Sequence, residues 1–194
     1  AEAQRPFDPV TMDPPASSSA RYPGRTEFVK IDSHGAELNA FIRLAEGEGP
    51  HPTVIYLHGF PGGATTELPS MLQRAGFNVV YPHYRGMWGS GGWFTWITGP
   101  EDAAAILTFL RSEQSRQKYR TDPGRIVLIG HSYGGWTALM AAARDRSVNC
   151  VAALALANLG EYARMDAQQR TRIEAGLLVP STNIDSGPVR VKGG

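Results

Sequence analysis

The stretch Gly130-His131-Ser132-Tyr133-Gly134-Gly135 restricts the fold of this chain more than any other. An apolar run, Arg125 to Ile129, leads into it, and a small-residue stretch suited to a helix, Trp136 to Ala143, leads out. A strand that reverses into a helix within so few residues strains the backbone at the tip. It also leaves no space for side chains two positions before and two after, and glycines stand at both. The spacing predicts strand, sharp turn and helix, with the Ser132 Oγ at the tip above the carboxyl end of the strand, the geometry of a nucleophile elbow. The plain alternative is an ordinary tight turn, which the β-rich run before it and the helix after it disfavour.

The rest of the chain is read by periodicity. Thr26 to Ile31 alternates as a strand, Ser33-His34-Gly35 turns, and Leu38 to Leu44 returns, which makes a hairpin. Thr53 to Leu57 and Val79 to Tyr81 are short apolar runs of the kind buried parallel strands show. Thr66 to Ala75 is expected to be a helix shortened or kinked by Pro69. Pro100-Glu101-Asp102 opens another helix, with proline in its first turn, two acids at the positive end of its dipole, and an apolar stripe of Ala105, Ile106, Phe109 and Leu110. Val151 to Leu156 is expected to be a further buried strand headed by a buried Cys150, and Glu161 to Gly176 one mostly polar helix. No periodicity marks residues 179–194. A hairpin followed by strand–helix units predicts an α/β fold: a mostly parallel sheet with an N-terminal antiparallel hairpin and helices on both faces. The expected organisation is a Pro/Ser-rich arm over residues 1–24, a core over 25–157, and a cap, insertion or connecting segment over 158–194.

Bulk composition excludes some classes. With a net charge of +1, nothing argues for nucleic acid, and no apolar run approaches the roughly 20 residues that span a bilayer. The single cysteine rules out an internal disulfide, and the histidines lack metal-ligand spacing, so no metal is expected. The chain opens Ala1-Glu2-Ala3-Gln4, which resembles the small-residue end of a secretory leader. A secreted or periplasmic location is the expectation, with a cytoplasmic one as the alternative.

The chemistry centres on Ser132. A serine hydroxyl is a weak nucleophile that needs an adjacent base. A negative charge developing on a bound carbonyl oxygen needs fixed donors. The N–H of Tyr133, just after the serine, is one candidate. The other is the N–H of Phe60 in the loop His58-Gly59-Phe60-Pro61-Gly62-Gly63, whose glycines let the backbone approach a substrate. The glycine- and tryptophan-rich loop Arg85 to Gly99 follows a strand that ends on the same side. His58, Arg85, Trp88 and Trp93 are therefore candidate pocket residues, although Arg85 is equally suited to clamping the loop itself. His58 is expected to bond nearby backbone and His131 to point away from the serine. No acid is assigned, and Asn158 stands where one could sit beyond the Val151 strand.

In order and spacing, Leu57-His58-Gly59-Phe60-Pro61-Gly62, Tyr84-Arg85-Gly86 through Gly92, Asp122-Pro123-Gly124-Arg125-Ile126 and Gly130 to Gly135 resemble the α/β-hydrolase superfamily. The middle motifs are most similar to its prolyl-oligopeptidase and dienelactone-hydrolase branch. The resemblance runs from about residue 25 to 157. It implies cleavage of an ester, thioester or peptide bond through an acyl-enzyme on Ser132, without a cofactor, and a triad acid and histidine after later strands. All five histidines precede Ser132, whereas the family order is serine, acid, histidine. The expectation is a nucleophile-bearing part of the fold, its C-terminal strands missing and its acid and histidine on absent residues or on a second chain. The rival readings are a non-catalytic member kept for binding and an acyltransferase.

Overall fold

The computed structural model describes residues 21–62 and 67–178, with side chains through 173. The arm up to residue 20, Gly63 and the segment 179–194 lie outside the described residues, as does Thr66, the first residue of its expected helix.

The described chain forms β1 (Arg25–Ser33), β2 (Ala36–Leu44), β3 (His51–Leu57), α1 (Leu68–Arg74), β4 (Asn78–Pro82), α2 (Gly99–Arg111), α3 (Glu113–Tyr119), β5 (Thr121–His131), α4 (Tyr133–Arg144), β6 (Cys150–Leu154), α5 (Leu159–Arg164) and α6 (Ala167–Leu178). Six strands make one sheet in the order β1-β2-β4-β3-β5-β6. β1 and β2 are the expected antiparallel hairpin. His34 and Gly35 both take positive φ, 52° and 77°, as the two-residue turn that matches strand twist requires. β2 joins β4 antiparallel, and β4, β3, β5 and β6 run parallel.

Alternation along β3 sorts the core into two layers. Ile55 and Leu57 face the large cluster under α2 and α4 with Leu38, Ile42, Ile106, Leu107, Leu110 and Leu128, all essentially fully buried. Val54 and Tyr56 face the other side, where Leu68 and Leu72 of α1 cover them. Asn78 ties three segments together, accepting from the Ala45 N–H at 2.9 Å and donating to the Tyr119 carbonyl at 2.9 Å. No described helix is long and apolar enough to cross a membrane.

Four local expectations change. Pro69 lies in the first turn of α1, where a missing N–H costs nothing, so it starts the helix and does not kink it. Where no element was expected, Glu113–Tyr119 forms a helix, α3, capped by the Ser112 hydroxyl, which accepts from the Ser115 N–H. The single helix expected over 161–176 is two. Asp166 caps α6 reciprocally with Gln169: its Oδ1 accepts the Gln169 N–H at 2.8 Å, and its own N–H donates to Gln169 Oε1 at 3.0 Å. Cys150 and its strand, finally, are not buried. Cys150 is exposed, and so is Leu154 at 45 %. The reason is topological: β6 is the outermost strand among the described residues, so one edge and part of its surface lack a neighbour.

Candidate active site

Ser132 sits between the last residue of β5 and the first of α4, with φ 53° and ψ −117°. A side chain rarely adopts this backbone, and it persists because the surroundings over-determine it. The Ser132 N–H donates to the Leu154 carbonyl at 2.8 Å. Its carbonyl accepts from Gly135 at 3.0 Å and from Ala157 at 3.1 Å. The elbow is thus held by the strand and loop that come after it.

The flanking glycines are obligatory for a measurable reason. A Cβ on Gly130 would stand 2.1 Å from the Gly134 carbonyl oxygen, and one on Gly134 would stand 2.0 Å from the Leu57 carbonyl oxygen. The strain at Ser132 itself gives a further expectation. Ser132→Gly should raise stability by about 1 kcal/mol, because glycine adopts this conformation without a Cβ penalty. Chemical denaturation checks this; a variant less stable than the parent would mean that the serine backbone is not strained.

Elements converge on the serine at the carboxyl ends of the parallel strands. After β3 the chain passes directly over it: a Cβ on Gly59 would lie 3.2 Å from the Ser132 Cβ. Phe60 follows, its ring packed on Phe94 at 5.1 Å and on Trp96 at 4.9 Å. Tyr133 is the first residue of α4, so its N–H has no acceptor within the helix. Its phenol is fully buried and fixed, donating to the Trp96 carbonyl at 2.9 Å and accepting from the Gly99 N–H at 3.2 Å. Burial holds its pKa well above the usual tyrosine range. The phenol is therefore a structural strut, and what Tyr133 offers the site is backbone.

Two clefts meet at Ser132. The larger, about 550 Å³, is bordered by Tyr56, His58, the Gly59–Gly62 loop, Leu68, His131 and Leu154. The smaller, about 210 Å³, lies between Phe60, Trp96 and Tyr133 on one side and α5 and α6 on the other. Of the four candidate pocket residues, only His58 borders either cleft. Trp88 braces the loop from behind, donating from Nε1 to the Pro61 carbonyl at 3.1 Å. Trp93 points outward and is 54 % exposed.

Arg85 is occupied elsewhere, which corrects its assignment to a pocket. Its Nε donates to Asp102 Oδ1 at 2.6 Å, and one terminal nitrogen donates to Glu101 at 2.5 Å and to the Thr98 carbonyl at 3.2 Å. Asp102, wholly buried, also accepts from the Ser33 hydroxyl at 2.7 Å and the Arg85 N–H at 3.0 Å. The two acids that open α2 thus bind the Arg85 loop and the hairpin into one network. Asp102→Ala should cost roughly 3 kcal/mol, since it leaves a mostly buried guanidinium without its one fully buried carboxylate partner. Urea denaturation measures this, and a loss under about 1 kcal/mol would mean the network is dispensable.

The histidines divide by position. His34 lies in the hairpin turn and His51 at the opposite end of β3 from the serine. His58 is 3 % exposed, with Nδ1 2.7 Å from the Gly59 carbonyl and Nε2 without a partner. Burial lowers its pKa to about 4. His83, with its ring 5.6 Å away, is lowered to about 4 for the same reason. Both are neutral at pH 7. His131, expected to face away, borders the larger cleft with the serine, and its Nδ1 would stand 3.1 Å from a Cβ on Gly59. Among the acids, Asp145 ends α4 at the far side, paired with Arg111 at 2.5 Å and with Ser147; Arg111 above all holds its pKa down to about 2. Asn158 caps α5 through the Glu161 N–H at 3.1 Å, and both border the smaller cleft.

Sequence reading missed the smaller cleft. Trp96, Tyr162, Met165 and Ile173 come from separated segments, and the only forward signal was the aromatic density beyond Trp93.

The model of the alpha/beta hydrolase family matches residues 54–189. In Escherichia coli, an uncharacterized 31.7 kDa protein in the traX-finO intergenic region is 32 % identical over 116 residues, 57 % of this chain and 39 % of the relative. Among solved structures, Pyrococcus furiosus esterase superposes with a TM-score of 0.58 at 20 % identity, covering 87 % of this chain and 64 % of that chain. Porphyromonas gingivalis dipeptidyl peptidase 4 superposes with a TM-score of 0.55 at 25 % identity, covering 70 % of this chain and 21 % of that chain. The chain thus spans about two-fifths of the length of the curated relative it matches.

Proposed function

The chain belongs to the alpha/beta hydrolase family, and from that premise we propose that it carries the nucleophile of a serine hydrolase acting on an ester or peptide bond. The observation that carries the reading is the backbone of Ser132, φ 53° and ψ −117°, between two glycines that no other residue can replace. The Ser132 Oγ attacks the substrate carbonyl carbon, and the N–H groups of Tyr133 and Phe60 receive the developing oxyanion. Collapse expels the leaving group and leaves an acyl-enzyme that water hydrolyses.

A general base must take the serine proton and return it to the leaving group. His58 is unsuited to this, being buried and engaged with the Gly59 carbonyl. The base and its orienting acid come instead from polypeptide outside the described residues, on the same chain or a second one. Support comes from the relatives, which are longer than the segment they share with this chain. On this reading residues 25–157 are the catalytic core, and the stretch from 158 onward begins a cap, an insertion or a connecting segment. Without the base, oxyanion donors and binding leave only about 10³–10⁴ over the uncatalysed rate.

A fluorophosphonate tests the nucleophile directly. The intact protein should gain one adduct, mapped to Ser132, and Ser132→Ala should gain none. An unlabelled intact protein would favour the binding-module reading, and labelling elsewhere would refute the assignment.

A further inference from the structure

The two clefts at Ser132 differ in character, and that difference bears on which bond is cut. We propose that the smaller cleft is the acyl pocket and that it selects short arylalkanoyl groups, a phenyl ring on a two-carbon tether being the best fit. The inference rests on Ser132 being the nucleophile.

Position comes first. The smaller cleft is bordered by Ser132 together with Tyr133 and Phe60, whose N–H groups are the candidate oxyanion donors. A carbonyl held between them places one substituent in this cleft and the other in the larger one. The larger cleft holds the imidazoles of His58 and His131 and more than twice the space. Its greater space suits a leaving group that must depart, whereas the smaller, floored by α5 and α6, suits a group that stays on the enzyme.

Size comes next. An apolar cavity of about 150 Å³ is enough to hold benzene. At about 210 Å³ the smaller cleft holds a phenyl ring with a short tether, and a long fatty chain exceeds it.

Chemistry narrows the class further. Phe60 and Trp96 stand 4.9 Å apart, and Tyr162 of α5 faces Trp96 at 6.4 Å. These rings pack on one another as one aromatic wall of the cleft, and an aryl guest laid against that wall gains offset or edge-to-face contacts that an alkyl guest cannot. Met165 and Ile173 add apolar lining, Ile173 at an exposed position. The polar groups at the rim serve one another: Asn158 Nδ2 donates to Glu161 Oε2 at 3.3 Å. The Glu161 carboxylate repels an acyl tail that itself ends in a carboxylate.

The test uses the intact protein and three p-nitrophenyl phosphonates that differ only in the group on phosphorus: methyl, 2-phenylethyl and hexadecyl. Serine oxygen displaces p-nitrophenolate and leaves a phosphonylated enzyme whose mass is read directly. The 2-phenylethyl reagent should label Ser132 at least about tenfold faster than methyl, and hexadecyl more slowly than 2-phenylethyl. Ile173→Trp, a substitution at the exposed lip, should bring the 2-phenylethyl to methyl ratio down to about one. Equal rates for methyl and 2-phenylethyl, or hexadecyl fastest, overturn the proposal. A separate measurement keeps the two readings apart. Ser132→Ala should bind 3-phenylpropanoate by isothermal titration at least about tenfold more tightly than acetate, with the difference lost when Ile173→Trp is added. If no phosphonate labels, the nucleophile assignment fails while the titration still decides the pocket. If the titration shows no preference, the pocket fails while labelling still decides the nucleophile.

Discussion

Gly134→Ala yields no folded protein, or one destabilised by more than about 4 kcal/mol. The new methyl would lie 2.0 Å from the Leu57 carbonyl oxygen, 2.5 Å from its carbon and 2.6 Å from the His58 carbonyl oxygen. All three are backbone atoms of the central strand and its exit, so no rotamer change relieves the overlap. Either α4 lifts from the sheet, exposing the apolar surface it shares with β3 and β5, or β3 shifts and breaks its pairing with β5. Gly135→Ala is the control. There the nearest atom is 3.2 Å away, and alanine's better helix propensity, about 1 kcal/mol, offsets the tightness. Circular dichroism and urea unfolding of the two variants check the contrast. If Gly134→Ala unfolds within 1 kcal/mol of the parent, the close packing of elbow on strand is wrong.

Stability should also fall steeply in mild acid, through His58 and His83. Both rings are enclosed among Tyr81, Tyr84, Trp88 and Phe41, and burial lowers each pKa from 6.5 to about 4. In the unfolded chain each takes a proton below about 6.5, while the folded protein resists until about 4. The unfolded state therefore binds more protons across that interval, and ΔG of unfolding drops as pH falls through it. Above pH 6.5 the full stability is present, and below about 4 the loss levels off. Each imidazole accounts for up to roughly 3 kcal/mol, and because the two charges would also repel, the pair is not simply additive. Urea midpoints between pH 7.5 and 4 measure this. The double variant His58→Gln, His83→Gln should show a much flatter profile across the same interval. A parent as flat as the double variant would remove the two histidines as the cause.

Those histidines also show how much the sequence could tell. The elbow was legible because its signature is local and negative: two positions must lack a Cβ, one against the turn itself and one against β3, and glycine alone satisfies that. The hairpin and the parallel strands were legible because periodicity is local too. Cys150 and β6 were misread because an apolar five-residue run looks the same in the middle of a sheet and at its edge; only strand order distinguishes them. Arg85 was misplaced because Glu101 and Asp102 had a sufficient local explanation at the start of α2, which concealed their tertiary one. The break between α5 and α6 was available in principle, since Asp166 and Gln169 have the spacing of a reciprocal cap. The smaller cleft was not available, because it is assembled from residues that only the turn of the chain after β6 brings together.

The carbonyl of Leu57 beneath Gly134 has a consequence for timing. The elbow reaches its observed packing only with β3 beside β5, and those segments are far apart in the chain, so their meeting is among the costlier steps of folding. Until then Ser132 is a serine on a flexible segment, with no fixed donors facing it and no ordered cleft around it. If Ser132 is the nucleophile proposed above, its reactivity is a property of the assembled sheet and not of the local turn, because the backbone that shapes it packs on one strand and is bonded to another.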